Sequence, residues 1–402
     1  MNDKKIYITG MGAVTPVGIG VDNYWNALVE GKCGIDEIQG IDTSELIVKK
    51  AGQVKNFNPR DYLSMKLVQD LEPYMQYAYV SAMEAVAQSG LDVASDRVGI
   101  VMGSALNGIC VIGDTNTQLA LNGKQAGPKF LTKAMGNIAA AQFSINYKIQ
   151  GPSLTVSTAC SSGGDAVKIA SLLIKSGAAD AMVVMAGEAA ICPPLIQSLT
   201  KTGALSKTGE SRPFDANRNG FVLGEGGGAI VLESEESLKK RGGKAIAELL
   251  GAANNTDAFN PVSPDPTGNG AAECMRIALE EAHIKAEDVD YLNAHGTATK
   301  MGDIAEANAM KQVFGDYKVR VSSTKGITGH MMGAGGITEM IACIKIIETG
   351  IIPPNVGFET PDPDADVNVS DKCLYDQDVK IAMSNALGFG GQNSCIIVGQ
   401  VR

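Results

Sequence analysis

Ten short runs of β-branched and apolar residues punctuate this 402-residue chain, five before about residue 240 and five after it. The first five cover 5–9, 97–102, 153–158, 181–186 and 228–233, and the second five cover 246–251, 289–294, 319–323, 380–385 and 394–399. Stretches with helical periodicity separate many of them: Met75–Ser89, Asp165–Lys175, Ala271–Ala282, Ile304–Val313 and Met340–Glu348. Within these stretches apolar residues recur at three and four, as in Ile169, Leu172 and Leu173. Strands alternating with helices predict an α/β fold whose parallel-rich sheets are covered on both faces. The 47 glycines cluster at turns between the apolar runs, which favours tight strand–helix junctions over a flexible linker.

The two sets of five echo each other. Phe221-Val222-Leu223-Gly224-Glu225-Gly226-Gly227-Gly228 precedes the last run of the first set, and Ala386-Leu387-Gly388-Phe389-Gly390-Gly391 precedes the last run of the second. The helix after Cys160 ends at Lys175-Ser176-Gly177 and the helix after His330 at Glu348-Thr349-Gly350. We read an internal repeat of roughly 200 residues, with halves at 1–245 and 246–402 that share one core because no linker separates them. Such a duplication would set Cys160 and His330 at matching strand-to-helix turns facing one pocket.

Cys160 stands in Val156-Ser157-Thr158-Ala159-Cys160-Ser161-Ser162-Gly163-Gly164, where a β-run stops and a helix starts. The positive end of that helix is expected to lower the thiol pKa, and the small residues leave room for a substrate at sulfur. Two of the three histidines flank glycine at strand ends, in Asn293-Ala294-His295-Gly296-Thr297 and Thr328-Gly329-His330. The third, His283, sits in an amphipathic helix and reads as surface. His330 is expected to open a helix rich in small residues (Gly333 to Gly336) and to stay neutral there. Lys325 lies in a glycine-bounded turn, with Glu339 as its expected buried partner.

Several classes are excluded or disfavoured. A net charge of −10 argues against nucleic acid. No run of about 18 apolar residues exists to span a membrane, and no stretch near the start has signal-peptide order. The eight cysteines form no Cys-x-x-Cys pair, so neither a zinc site nor a disulfide framework is expected, and a cytoplasmic setting is. The glycine loops at 224–228 and 388–391 are not dinucleotide fingerprints, and no cluster predicts a catalytic metal or a cofactor.

These motifs together resemble the β-ketoacyl synthase family of the thiolase-like superfamily. The resemblance rests on Thr158-Ala159-Cys160-Ser161-Ser162, Ser211-Arg212-Pro213-Phe214-Asp215, Gly220 through Gly226, His295-Gly296-Thr297, Lys325 with Thr328-Gly329-His330, and Gly388-Phe389-Gly390-Gly391. It runs from Tyr7-Ile8-Thr9-Gly10-Met11-Gly12 to the last strand. It implies a five-layered αβαβα fold, usually homodimeric, and condensation of a Cys160-bound acyl chain with malonyl-carrier protein to give 3-oxoacyl-carrier protein and carbon dioxide. His295 and His330 would serve decarboxylation, Lys325 and Glu339 would organise them, and the amides of Cys160 and Phe389 would form an oxyanion hole with Phe389 also gating the sulfur. Thr297, Thr299, Gly388 and Gly390 would contact substrate, and Leu106 would limit acyl depth. Lys66, Lys129 and Lys207 would meet the acyl carrier protein. Asn293, Glu339, Ser384 and Asn385 would surround a structural cation. The chain departs from the family pattern in Ser64–Asp70, where a single lysine remains. That thinned patch leaves a type II polyketide ketosynthase beside the fatty acid enzyme as a reading, whereas an intact Cys160 speaks against a non-catalytic chain-length factor.

Overall fold

The computed structural model of the chain describes residues 4–401. All ten expected runs form strands: β1 (Ile6–Thr15), β2 (Val98–Gly103), β3 (Ser153–Val156), β4 (Ala181–Glu188), β5 (Gly226–Ser234), β6 (Ala247–Thr256), β7 (Tyr291–Asn293), β8 (Arg320–Ser322), β9 (Ile381–Gly388) and β10 (Gln392–Gly399). Seven helices matter for the site: α1 (Pro73–Ser89), α2 (Ile109–Asn122), α3 (Ser162–Lys175), α4 (Pro193–Thr202), α5 (Asn269–Ala282), α6 (Lys300–Phe314) and α7 (Gly335–Thr349).

The halves share one topology. The first sheet runs β1-β5-β4-β2-β3 and the second β6-β10-β9-β7-β8, so each strand of one half has its counterpart five places on. Residues Ile6–Ile8 of β1 pair antiparallel with Ala247–Leu249 of β6 and join the two sheets edge to edge. Parallel pairing is confined to the outer three strands of each half, β4-β2-β3 and β9-β7-β8. The remaining pairs are antiparallel, so the sheets are mixed where parallel-rich ones were expected. The reason is burial: every residue of β1 and β5 is buried. A strand covered on both faces is apolar throughout whichever way its neighbour runs.

Helices supply three of five layers. On the outside of the first sheet, α1 lies over β1, β4 and β5, while α5 covers β6 and β10 on the outside of the second. Between the sheets, α3 and α7 touch each other and strands of both halves. One apolar cluster fills this middle layer, with Ile8, Val184 and Ile230 on one side, Ile396 and Val398 on the other, and Ile337, Ile341 and Ile344 of α7 between them. The αβαβα order expected from the resemblance is thus the order found.

The two central helices cross at their N-terminal ends with backbone against backbone. A Cβ on Gly163 would stand 2.8 Å from the Gly333 carbonyl oxygen, and one on Gly336 would stand 2.7 Å from the Gly164 nitrogen. No side chain fits there, which explains the paired small residues after Cys160 and after His330. Gly336→Ala should therefore destabilise the fold by about 1–3 kcal/mol through overpacking, read from the denaturant midpoint. An unchanged midpoint would show that the crossing has room to spare.

Candidate active site

Matching strand ends deliver the reactive groups. Cys160 follows β3 and His330 follows β8, the counterparts in the two halves, and both turns lead toward the central helices. At the thiol the chain makes a tight elbow: Ala159 takes φ 51°, a left-handed conformation costly for alanine. Hydroxyls hold it. Ser162 Oγ accepts the Thr158 N–H at 2.9 Å and donates to the Ala159 carbonyl at 2.6 Å. Ser161 Oγ reaches the Gln392 carbonyl at 2.7 Å and the Ala386 carbonyl at 3.2 Å, tying the elbow to the β9–β10 hairpin that carries Phe389.

His330 Nε2 lies 3.0 Å from Cys160 Sγ. The His295 ring stands 5.2 Å from the His330 ring and nearly perpendicular to it, at 87°. The sulfur and one nitrogen of each ring fall within 4.8 Å of one another, the one such trio of His, Cys, Asp or Glu donors among the described residues. The backbone of His330 is fixed on both sides, its N–H donating to the Val222 carbonyl at 2.7 Å and its carbonyl accepting the Gly224 N–H at 2.8 Å. The glycine-rich segment 220–226 thus forms a rail beside the histidine. The 295–298 turn is held by carboxylates of α6. Glu306 accepts the His295 and Gly296 N–H groups at 2.8 Å each, and Asp303 accepts those of Phe214 at 2.7 Å and Ala298 at 3.1 Å. Lys325 and Glu339 form a buried ion pair behind the rings, the partnership expected from sequence.

Burial sets the protonation states. It pushes the Cys160 thiol up to about 12, against the opposing pull of the Lys325 charge and the Phe389 N–H. The lowered thiol pKa expected from the helix terminus is therefore corrected: desolvation outweighs it, and the resting sulfur carries its proton. Burial, and then the Lys325 charge, hold both imidazoles well below the usual histidine range. His330 is neutral, as expected, but for a different reason. It does not open α7, which starts at Gly335 after a 3₁₀ turn over Met332–Ala334. Neutral imidazole is either donor or acceptor at the sulfur according to its tautomer.

A solvent-open cavity reaches Cys160, lined also by His295, His330, Thr297, Thr299 and Phe389. Gly388 lies at the same wall, whereas Gly390 sits outward on the hairpin turn and is exposed. Leu106 belongs to an apolar cluster with Cys160, Ile191, Ile196, Met332 and Phe389. Lys66, Lys129 and Lys207 are exposed, and Lys129 pairs with Asp70 at 2.6 Å. Asn293 and Asn385 each carry a buried amide oxygen without a hydrogen-bond partner; Ser384 and Glu339 are also buried, but Glu339 pairs with Lys325 and the Asn385 amide donates toward Glu306. Sequence reasoning missed Glu306 and Glu188. The available signal was acidic residues in apolar surroundings, Asp303 and Glu306 amid Ile304, Ala305 and Ala307, and Glu188 closing the run 181–186.

Residues 3–237 match the beta-ketoacyl synthase N-terminal domain, and residues 246–359 match its C-terminal domain. The chain belongs to the β-ketoacyl synthase family. It is 38% identical over 405 residues to a family member from Staphylococcus aureus (strain COL), 3-oxoacyl-[acyl-carrier-protein] synthase 2, covering 98% of each chain. Among solved structures of the family, the ishigamide ketosynthase/chain length factor superposes with a TM-score of 0.94 at 30% identity, covering 99% of this chain and 100% of that one. The AntDE:AntF complex, a type II PKS acyl-carrier protein with its ketosynthase bound to the hexaketide, superposes at 0.90 with 29% identity over all of both chains.

Neutral histidines make a pH prediction. An ordinary imidazole would be about three-quarters protonated at pH 6 and activity requiring its neutral form would drop about fourfold from the alkaline plateau. Because both pKa values are depressed, malonyl decarboxylation should fall less than about twofold between pH 7.5 and 6. A full imidazole-like titration centred near the usual histidine value would contradict a resting site with two neutral rings.

Proposed function

We propose that this protein is a 3-oxoacyl-[acyl-carrier-protein] synthase that elongates fatty acids by decarboxylative Claisen condensation. The observation that carries the reading is the cluster of Cys160 Sγ with two neutral imidazoles within 4.8 Å, at the end of a cavity open to solvent. Full-length identity of 38% to a 3-oxoacyl-[acyl-carrier-protein] synthase 2 supports it.

The reaction divides into two stages, acylation of Cys160 and condensation. His330, 3.0 Å away, takes the thiol proton as the sulfur attacks the acyl-carrier thioester, and then gives it to the departing carrier thiolate. The N–H groups of Cys160 and Phe389 would stabilise the tetrahedral oxyanion, each donor contributing about 3 kcal/mol. Malonyl-carrier protein then places its thioester carbonyl between His295 and His330; the His295 N–H stabilises the enolate left when carbon dioxide departs, and His330 joins it in the Nε2–H tautomer, to which the ring returns once the carrier thiol has left. The enolate carbon attacks the Cys160 acyl carbonyl. The carbon–sulfur bond breaks, 3-oxoacyl-carrier protein leaves, and the freed thiolate regains a proton from solvent. Lys325 and Glu339 would position the rings, and Thr297, Thr299, Gly388 and Gly390 would contact the substrate.

The same reading covers partners. Lys66, Lys129 and Lys207 would dock the acidic carrier protein, and β3, an unpaired sheet edge with Leu154 45% exposed, would pair across a homodimer axis. Asn293, Glu339, Ser384 and Asn385 would hold a structural cation, the halves would divide at residues 245 and 246, and the enzyme would work in the cytoplasm. Among the described residues no helix is long and apolar enough to cross a membrane. Likeness to the ishigamide and AntDE:AntF structures favours a second reading, a ketosynthase of a type II polyketide or polyene pathway.

Cys160→Ala should abolish acyl transfer and condensation while leaving the circular dichroism spectrum intact; condensation persisting at the wild-type rate would refute the nucleophile assignment. Product mass spectra with a fatty acid carrier protein and with a polyketide carrier protein separate the two pathways. Elongation on the fatty acid carrier is the expected result.

A further inference from the structure

Glu188 ends β4, at the place in the first half that Gly388, beside Phe389, holds in the second. It is fully buried, and among the described residues no lysine, arginine or histidine pairs with it. Backbone groups from two separate loops satisfy it instead. Its Oε1 accepts the Leu106 N–H at 3.2 Å and the Ser104 hydroxyl at 3.3 Å, and its Oε2 accepts the Ala105 N–H at 2.8 Å and the Gly333 N–H at 3.2 Å. Ser104 Oγ in turn accepts the Asn107 N–H at 3.0 Å.

One loop follows β2 and carries Leu106, which packs in the apolar cluster around Cys160. The other follows His330. Each has a non-glycine residue in the left-handed region next to the clamped groups, Asn107 at φ 49° and Met332 at φ 47°. Such conformations persist only where the surroundings over-determine them. A single carboxylate thus holds two strained loops, one packing Leu106 into the apolar cluster around Cys160 and one directly after His330.

We propose that Glu188 is a specificity-determining positioning residue, which locks the Leu106 wall to the Gly333 turn and thereby sets the acyl chain length that Cys160 accepts. The inference rests on the reading that Cys160 carries the acyl group. Glutamine is the informative substitution. All four groups at Glu188 donate, so whichever way a glutamine amide is turned, its NH2 meets donors and one side of the lock is lost. With Leu106 freed from the turn, the wall yields to longer chains.

The test is acylation of Cys160 by carrier proteins bearing short, medium and long saturated chains, with kcat/KM measured for each on the wild-type enzyme, Glu188→Gln and Gly333→Ala. Glu188→Gln should raise the long-to-short ratio by about tenfold, the scale of losing hydrogen bonds to a charged acceptor. Gly333→Ala reaches the same junction from the other loop, since its Cβ would stand 2.6 Å from the Ala105 nitrogen, and should shift the ratio in the same direction. That variant decides the matter if Glu188→Gln does not fold. A uniform loss of rate at all lengths, with the ratio unchanged, would assign Glu188 a stabilising role only and overturn the inference. A wild-type enzyme left unacylated at Cys160 would instead bring down the proposed function itself.

Discussion

Where α3 and α7 cross, main chain touches main chain, and the rest of the site depends on that contact. Gly163 meets the carbonyl of Gly333 and Gly336 meets the amide of Gly164. The crossing draws the two preceding turns together until His330 Nε2 lies 3.0 Å from Cys160 Sγ. A methyl group at either face would stand under 3.0 Å from backbone and force the helices apart, and reacting groups tolerate little misplacement. The layers outside exist to hold this crossing: two mixed sheets grip the central helices from both sides through one apolar cluster.

Around the crossing, buried carboxylates replace secondary structure as the partner of loop amides. Glu306 and Asp303 take four N–H groups from the His295 turn and Phe214, and Glu188 takes three from the Leu106 and Gly333 loops. A loop at the end of a parallel strand leaves such amides without a ladder, and burying them unpaired is costly. Burial raises Glu188 and Asp303 to about 7, yet the amides aimed at them favour the charged form. The one buried lysine of the site, Lys325, pairs with Glu339 and leaves both imidazoles neutral.

Much of this was legible from residue order. Ten apolar runs located ten strands, and the echo between Phe221–Gly228 and Ala386–Gly391 marked the entries to the counterpart strands β5 and β10, although Ala386–Gly388 themselves end β9, the counterpart of β4. The reactive trio stood out because cysteine and histidine are scarce beside glycine at strand ends. Strand direction was not legible, because burial on both faces erases the alternation that would mark an antiparallel pair. The thiol pKa was misjudged because a helix terminus can be read locally, while desolvation depends on Leu223, Met332 and Phe389 closing in from distant segments. Glu188 and Glu306 were missed for a like reason: their partners are backbone amides, which leave no mark in composition.

The central claim is that the duplicated halves converge to make Cys160 an acyl acceptor. Its most direct measurement is peptide mass spectrometry after the enzyme is mixed with an acyl-carrier protein and quenched with acid. The account predicts a mass increase equal to one acyl group on the peptide containing Cys160, and on none of the other seven cysteines of the eight in the chain. No increase on that peptide, or one confined to a different cysteine, would contradict it.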